Sequence, residues 1–112
     1  MMTESRLNDL AAQCLADCYA WFPSWSAEPA ERQIVHFALG IAGEQGEVVE
    51  IIKKWQGGRP GYDLEDPTVR AHLAEELCDV VMYVGDLAAF LGLDLDHALH
   101  LKRVANAERF GR

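Results

Sequence analysis

The chain is short of positive charge. Its 112 residues include 10 lysines and arginines against 18 acidic residues, which gives a formal net charge of −8. A protein that binds nucleic acid non-specifically needs a basic surface to meet the phosphate backbone, so this balance predicts no nucleic-acid partner. It does not exclude a nucleotide substrate, because a metal ion can supply positive charge at one place.

Long apolar runs and cysteine pairs are also missing. No stretch approaches the roughly 18 apolar residues of a membrane span, and the N-terminal segment lacks the charged and apolar regions of a signal peptide. The three cysteines, Cys14, Cys18 and Cys78, are odd in number and lack framework spacing, which indicates a reducing compartment and no structural disulfide. We therefore predict a cytoplasmic protein without a membrane partner.

Strand patterns, repeats and interdomain linkers are scarce as well, so the sequence predicts a single all-α domain over residues 1–112. Four helices are expected, and their predicted bounds are Glu4 (after an N-cap at Thr3) to Tyr19, Ala30 to Trp55, Pro67 (after a cap at Asp66) to a C-cap at Gly92, and Asp94 to Phe110. The two long helices are apolar over a wide arc that one chain of this size does not cover. We expect oligomerisation to complete the bundle, as a homodimer or homotetramer.

What the sequence does contain is two acidic couplets with helical spacing. Glu44-x-x-Glu47 lies in the second helix, and Glu76-x-x-Asp79 lies in the third. The i, i+3 spacing puts each pair on one helix face, at the margin of an apolar stripe where negative charge is costly. Four carboxylates facing each other across two helices repel, and Mg²⁺, which prefers oxygen ligands, relieves that repulsion; Mn²⁺ is a possible substitute.

Other polar residues follow the same flank. By helical spacing, the residues that share the flank of the couplets are His36, Gly40, Gly43 and Lys54 in the second helix and Tyr83 in the third. His36 is either a satisfied interior histidine or a contact for a nucleobase. The glycines leave room for a ligand or for a close neighbouring helix.

The fourth helix carries cations where an apolar stripe is expected. Leu95 and Leu99 define its inner face, and the same spacing continues to Lys102, Asn106 and Arg109. These side chains either grip phosphate oxygens through charge-assisted hydrogen bonds or pair with surface acids. Together with the acids, they indicate a magnesium-bound polyphosphate and attack of water on a phosphoanhydride.

These motifs resemble a known family. Gly43-Glu44-Gln45-Gly46-Glu47, followed by Glu76-Leu77-Cys78-Asp79 and then by Lys102-x-x-x-Asn106-x-x-Arg109-Phe110, resembles the metal motif and tail of the MazG-like, all-α nucleoside triphosphate pyrophosphohydrolases. The G-E-x-G-E form is similar to the single-domain branch related to mammalian dCTP pyrophosphatase. The resemblance covers roughly Ile34 to Phe110.

The resemblance implies a role for each of these residues. The four acids become catalytic metal ligands, and the implied substrate contacts are His36, Lys54, Tyr83, Lys102, Asn106 and Arg109. The implied reaction is Mg²⁺-dependent hydrolysis of a (deoxy)nucleoside triphosphate to the monophosphate and pyrophosphate. The implied role is nucleotide-pool house-cleaning by a dimer or tetramer.

One departure from the family motif leaves the general base open. Gly43 replaces the first glutamate of the usual E-E-x-x-E motif. Glu50, Glu75, or a metal ion that activates water without a dedicated carboxylate could take its place. Two alternative functions also stay open: a phosphoribosyl-ATP pyrophosphohydrolase of the same fold, and a non-catalytic helical regulatory or interaction protein.

Overall fold

A computed structural model describes residues 6–111, and within them the chain forms four α-helices and no strand. The helices are α1 (Arg6–Trp21), α2 (Ala30–Gln56), α3 (Pro67–Leu91) and α4 (Leu95–Phe110), with a short 3₁₀ helix at Pro23–Ala27. The predicted all-α class is therefore confirmed. The predicted start of the first helix at Thr3 and Glu4 lies outside the described residues, and α1 ends two residues later than predicted.

The predicted helix boundaries from Asp66 onward rest on observed caps. Asp66 Oδ1 accepts from the backbone N–H of Thr68 at 2.8 Å, and Asp94 Oδ1 accepts from that of His97 at 3.0 Å. Both carboxylates satisfy N–H groups that the first helical turn leaves without a partner. Gly92 follows α3 at a φ of 66°, a left-handed conformation that glycine adopts without strain.

The described chain divides into two compact units. We call Glu28–Val84 the central unit, and the described parts of Met1–Ala27 and Gly85–Arg112 the terminal unit. The central unit contains α2 and most of α3, and the terminal unit contains α1, the last turns of α3, and α4. The single domain predicted from the sequence stays a prediction.

In the terminal unit, α1 and α4 cap each other. Asp96 accepts from the backbone N–H groups of Leu7 and Asn8, near the start of α1, at 3.2 and 3.1 Å. Asn8 in turn accepts from the backbone N–H of Leu95 at 2.8 Å and donates to Asp94 at 2.8 Å. That donated bond is the main reason why the pKa of Asp94 lies below its ordinary value.

The predicted apolar stripes are only partly buried. Phe37 of α2 and Ala88 of α3 are buried. Other members of the stripes predicted for the two long helices stay exposed in the described chain, namely Trp55, Leu77, Val81, Val84 and Leu91. Each of these two helices therefore keeps exposed apolar side chains.

Candidate metal centre

The site is built on α2 and α3 inside the central unit, and a glycine sets how closely the two helices approach. A Cβ on Gly40 would overlap the ring of Tyr83, so a side chain at this position of α2 would displace that ring. The Tyr83 ring also meets His36 edge-on, with the ring centroids 6.0 Å apart. His36 and Gly40, which the sequence places on one flank of the second helix, thus both lie against Tyr83 of α3.

Three of the four predicted acids come together next to this contact. Glu44 of α2 and Glu76 and Asp79 of α3 each place one carboxylate oxygen within 4.8 Å of those of the other two. All three residues are half-buried. We call this set the acid triad; among residues 6–111 it is the group of acidic side chains whose spacing could hold a metal ion.

Electrostatics within the acid triad are unfavourable without a cation. Partial burial raises the pKa of Glu44 above its ordinary value, and the charges of Asp79 and Glu76 raise it further. A hydrogen bond with Glu76 and the charge of Glu47 act in the same direction. Like charges held together in this way favour keeping a proton or binding a positive ion.

The geometry of the acid triad fits a small divalent cation. Oxygen ligands on opposite sides of one Mg²⁺ lie about 4.2 Å apart, twice the metal–oxygen distance of about 2.1 Å. The carboxylate oxygens of the acid triad lie within 4.8 Å of one another, which is close enough for one such ion to contact all three residues. Since every donor is a carboxylate oxygen, the set suits Mg²⁺ or Mn²⁺ better than a metal that prefers sulfur or nitrogen.

Glu47, the fourth predicted ligand, is not part of the acid triad. It lies on α2 one turn after Glu44, and its side chain is exposed. Its charge still contributes to the raised pKa of Glu44, so it belongs to the same electrostatic environment. The sequence could not separate Glu47 from its neighbours, because spacing fixes the helix face and not the side-chain rotamer.

The structure adds one residue that the sequence analysis passed over. His72 lies on α3 one turn before Glu76, and its Nε2 is 3.2 Å from Oε1 of Glu76. The residues His72, Glu76, Asp79 and Tyr83 form one continuous stripe along α3. Extending the predicted flank by four residues toward the N-terminus would have found it.

The candidate general base Glu50 and the predicted substrate contact Lys54 pair with each other. Lys54 Nζ lies 3.4 Å from Oε1 of Glu50 and 3.5 Å from the hydroxyl of Tyr62, and 5.0 Å from the centre of the Tyr62 ring. Glu75, the other candidate base, is exposed. Neither glutamate is a member of the acid triad.

The basic residues of α4 belong to the terminal unit, and most are exposed. Lys102 and Arg109 are exposed, Asn106 is half-buried, and the guanidinium of Arg109 lies 5.3 Å from the centre of the Phe110 ring. A cavity of about 640 Å³ is lined by Arg103, Asn106, Ala107 and Phe110. Of the two leucines predicted to define the inner face of this helix, Leu99 is 48% exposed and Leu95 is half-buried.

Comparison with known proteins gives four relatives that share one name. The chain is 38% identical over 72 residues to dCTP pyrophosphatase 1 of Rattus norvegicus, and 39% identical over 72 residues to dCTP pyrophosphatase 1 of Homo sapiens. Each match covers 64% of this chain and 42% of the relative, so the chain matches less than half the length of these proteins. The predicted resemblance to the MazG-like pyrophosphohydrolases is confirmed by these matches. No family model and no solved structure matches the chain.

Among residues 6–111, none of the helices combines the length and the hydropathy that crossing a bilayer requires.

Proposed function

Because most of the chain is similar to dCTP pyrophosphatase 1, we propose that it is a nucleoside triphosphate pyrophosphohydrolase. It hydrolyses a (deoxy)nucleoside triphosphate to the monophosphate and pyrophosphate, and in this way it removes unwanted or excess nucleotides. The observation that carries the proposal is the acid triad of Glu44, Glu76 and Asp79. Three half-buried carboxylates at this separation need positive charge, and a magnesium-bound triphosphate supplies it.

In this proposal the acid triad holds Mg²⁺, with Mn²⁺ as a substitute. A divalent cation polarises the phosphorus that is attacked and lowers the pKa of water. Glu47 completes the ligand set by rotating its exposed side chain toward Glu44, one turn away on α2. The general base stays unassigned, because Glu50 is paired with Lys54 and Glu75 is exposed.

The remaining predicted residues bind the substrate. Lys102, Asn106 and Arg109 of α4 contact phosphate or sugar oxygens, since ammonium, amide and guanidinium groups all donate to oxygen. His36 and Tyr83, which are already in ring contact, bound one side of the acid triad and contact the nucleoside. Lys54 contributes positive charge further along α2.

We also propose that the protein works as a homodimer or homotetramer. Val49, Leu77 and Val81 of the central unit are each about half exposed, at 54%, 48% and 48%. Apolar side chains grouped in this way favour association. Light scattering after size-exclusion chromatography tests this point, and a mass near the 12.5 kDa of a single chain would contradict it.

The experiment that tests the function is a pyrophosphate-release screen over the common NTPs and dNTPs, with Mg²⁺, with Mn²⁺ and with EDTA. We expect release from at least one deoxynucleotide with either metal and none with EDTA. Phosphoribosyl-ATP belongs in the same screen, and preferential cleavage of it would identify the histidine-pathway activity instead. Binding of nucleotide without any release would identify a non-catalytic regulatory protein.

A further inference from the structure

The imidazole of His72 contacts a carboxylate of the acid triad. Its Nε2 lies 3.2 Å from Oε1 of Glu76, at the i, i+4 spacing that brings side chains together on a helix. The two side chains differ in environment, since that of His72 is 54% exposed and that of Glu76 is 18% exposed. The histidine therefore reaches from the surface toward a carboxylate that is largely covered.

The direction of this hydrogen bond follows from the chemistry of the two groups. When Glu76 is ionised it can only accept, and the imidazole then donates its Nε2–H to it. A carboxylate crowded by Glu44 and Asp79 is pushed by their charges toward other rotamers. His72 lies one turn before Glu76 on α3 and Asp79 lies almost one turn after it, so a hydrogen bond from His72 would hold the side chain of Glu76 in place.

We propose that His72 is a positioning residue for the metal centre, which it serves by fixing the rotamer of Glu76. The proposal rests on the metal site of the proposed function and extends it to a residue outside the acid triad. Hydrogen-bond partners of metal ligands orient those ligands, and losing one such partner typically weakens metal binding by about 10- to 100-fold. The affinity of the protein for a divalent cation should therefore depend on His72.

The test is a Mn²⁺ titration followed by electron paramagnetic resonance, together with displacement of Mn²⁺ by Mg²⁺. His72→Ala should weaken binding of both ions by a similar factor of about 10 or more. His72→Gln should bind within about 3-fold of the wild type, because an amide donor can replace the imidazole N–H. His100→Ala is the matched control, since His100 is an exposed histidine of α4 in the terminal unit.

Three results would overturn the proposal. The first is metal binding by His72→Ala equal to that of the wild type, which would make the contact an ordinary surface pair. The second is an equal loss of metal affinity in His72→Ala and His72→Gln, which would show that the hydrogen bond is not the cause. The third is a loss confined to Mn²⁺, which would make His72 itself a ligand.

The proposed function and this inference fail in different ways. If the wild type binds Mn²⁺ but releases no pyrophosphate, the proposed function is wrong. The metal affinities of the His72 variants still decide the role of His72. A wild-type protein that binds neither ion at millimolar concentration contradicts both. Thermal unfolding of each variant in EDTA should match the wild type within 2–3 °C, about the shift that less than 1 kcal/mol produces.

Discussion

Two acidic regions of α3 differ in how their charge is accommodated. In the central unit, Glu76 and Asp79 are half-buried, and Glu76 has His72 within hydrogen-bond distance. In the terminal unit, Asp86 is only 6% exposed, and its Oδ1 has no hydrogen-bond partner among residues 6–111. Burial, with a smaller contribution from the charge of Asp17, raises the pKa of Asp86 to about 6.

The two regions differ in whether neighbouring acids are close enough to share a cation. The acid triad offers several carboxylate oxygens to one place, so a divalent cation can offset both the burial and the repulsion. Asp86 instead lies against α1, close to Cys14 and Cys18, whose thiol pKa values are raised by burial and by the charge of Asp86. We therefore expect charge removal to abolish function in the first region and to improve stability in the second.

The largest expected effect follows from neutralising the metal site. Glu76→Gln, Glu47→Gln and Glu44→Gln should each lower kcat/KM for the preferred nucleotide by at least about 100-fold, since a lost ligand removes several kcal/mol of charge stabilisation. Initial rates of pyrophosphate release at saturating Mg²⁺ measure this loss. Glu31→Gln, on an exposed position of α2, is the control and should keep full activity. Full activity in Glu47→Gln would remove that residue from the metal site.

Removing the charge of Asp86 should instead change the stability of the protein. The folded pKa of about 6 lies above the ordinary value of 3.8, so the folded state binds the proton more tightly. The stability of the wild type should therefore fall as the pH rises from about 4 to about 6, by up to about 3 kcal/mol. Urea unfolding of Asp86→Asn should lack this decrease, because the amide does not titrate.

A neighbouring substitution sharpens the same test. Asp17→Asn removes the smaller cause of the raised pKa and leaves burial in place. With Asp17→Asn, the decrease in stability should end at a lower pH than in the wild type, but it should not disappear. An unchanged pH dependence in Asp86→Asn would assign the effect to another group.

The close approach of α2 to α3 gives the next effect. Gly40→Ala forces the ring of Tyr83 to move, and overpacking of this kind costs about 1 to 3 kcal/mol, partly offset by about 1 kcal/mol of helix propensity. Gly43→Ala is the matched control, because nothing lies within 4 Å of its added Cβ. It should stabilise the protein by up to about 1 kcal/mol. Equal thermal stability of the two variants would contradict the close contact.

The smallest effect concerns the reciprocal caps of the terminal unit. Asn8→Ala removes the acceptor for the N–H of Leu95 and the donor to Asp94, and it should cost about 1 kcal/mol in urea unfolding. Asn8→Asp keeps an acceptor but places a third carboxylate beside Asp94 and Asp96. It should be less stable than Asn8→Ala at pH 7. In 1 M NaCl, where charge repulsion is screened, its stability should approach that of Asn8→Ala. Wild-type stability in Asn8→Asp would contradict this account of the caps.

Local signals predicted most of the fold. The caps at Asp66, Asp94 and Gly92 depend on neighbouring residues only, and the structure confirms all three. Burial was predicted less well, because Leu77, Val81 and Leu99 follow an apolar period yet remain exposed in the described chain. Periodicity tells which residues share a face but not whether another surface covers that face.

The acid triad shows the same division between what spacing predicts and what it does not. Spacing placed Glu44, Glu76 and Asp79 on facing helices, and the structure brings their oxygens together. It could not exclude Glu47, which is exposed and lies outside the acid triad. His72 was missed for another reason. A single histidine one turn from an acid is not a recognisable motif, and it draws notice only once the acid is placed in a site.

The most direct test of the central claim is ³¹P nuclear magnetic resonance of a reaction containing the protein, Mg²⁺ and the nucleotide preferred in the screen. We expect the three triphosphate signals to be replaced by those of a nucleoside monophosphate and pyrophosphate, with no change in EDTA or with Glu76→Gln. Orthophosphate and a nucleoside diphosphate as products, or equal turnover by Glu76→Gln, would contradict the claim that the acid triad directs cleavage between the α and β phosphates.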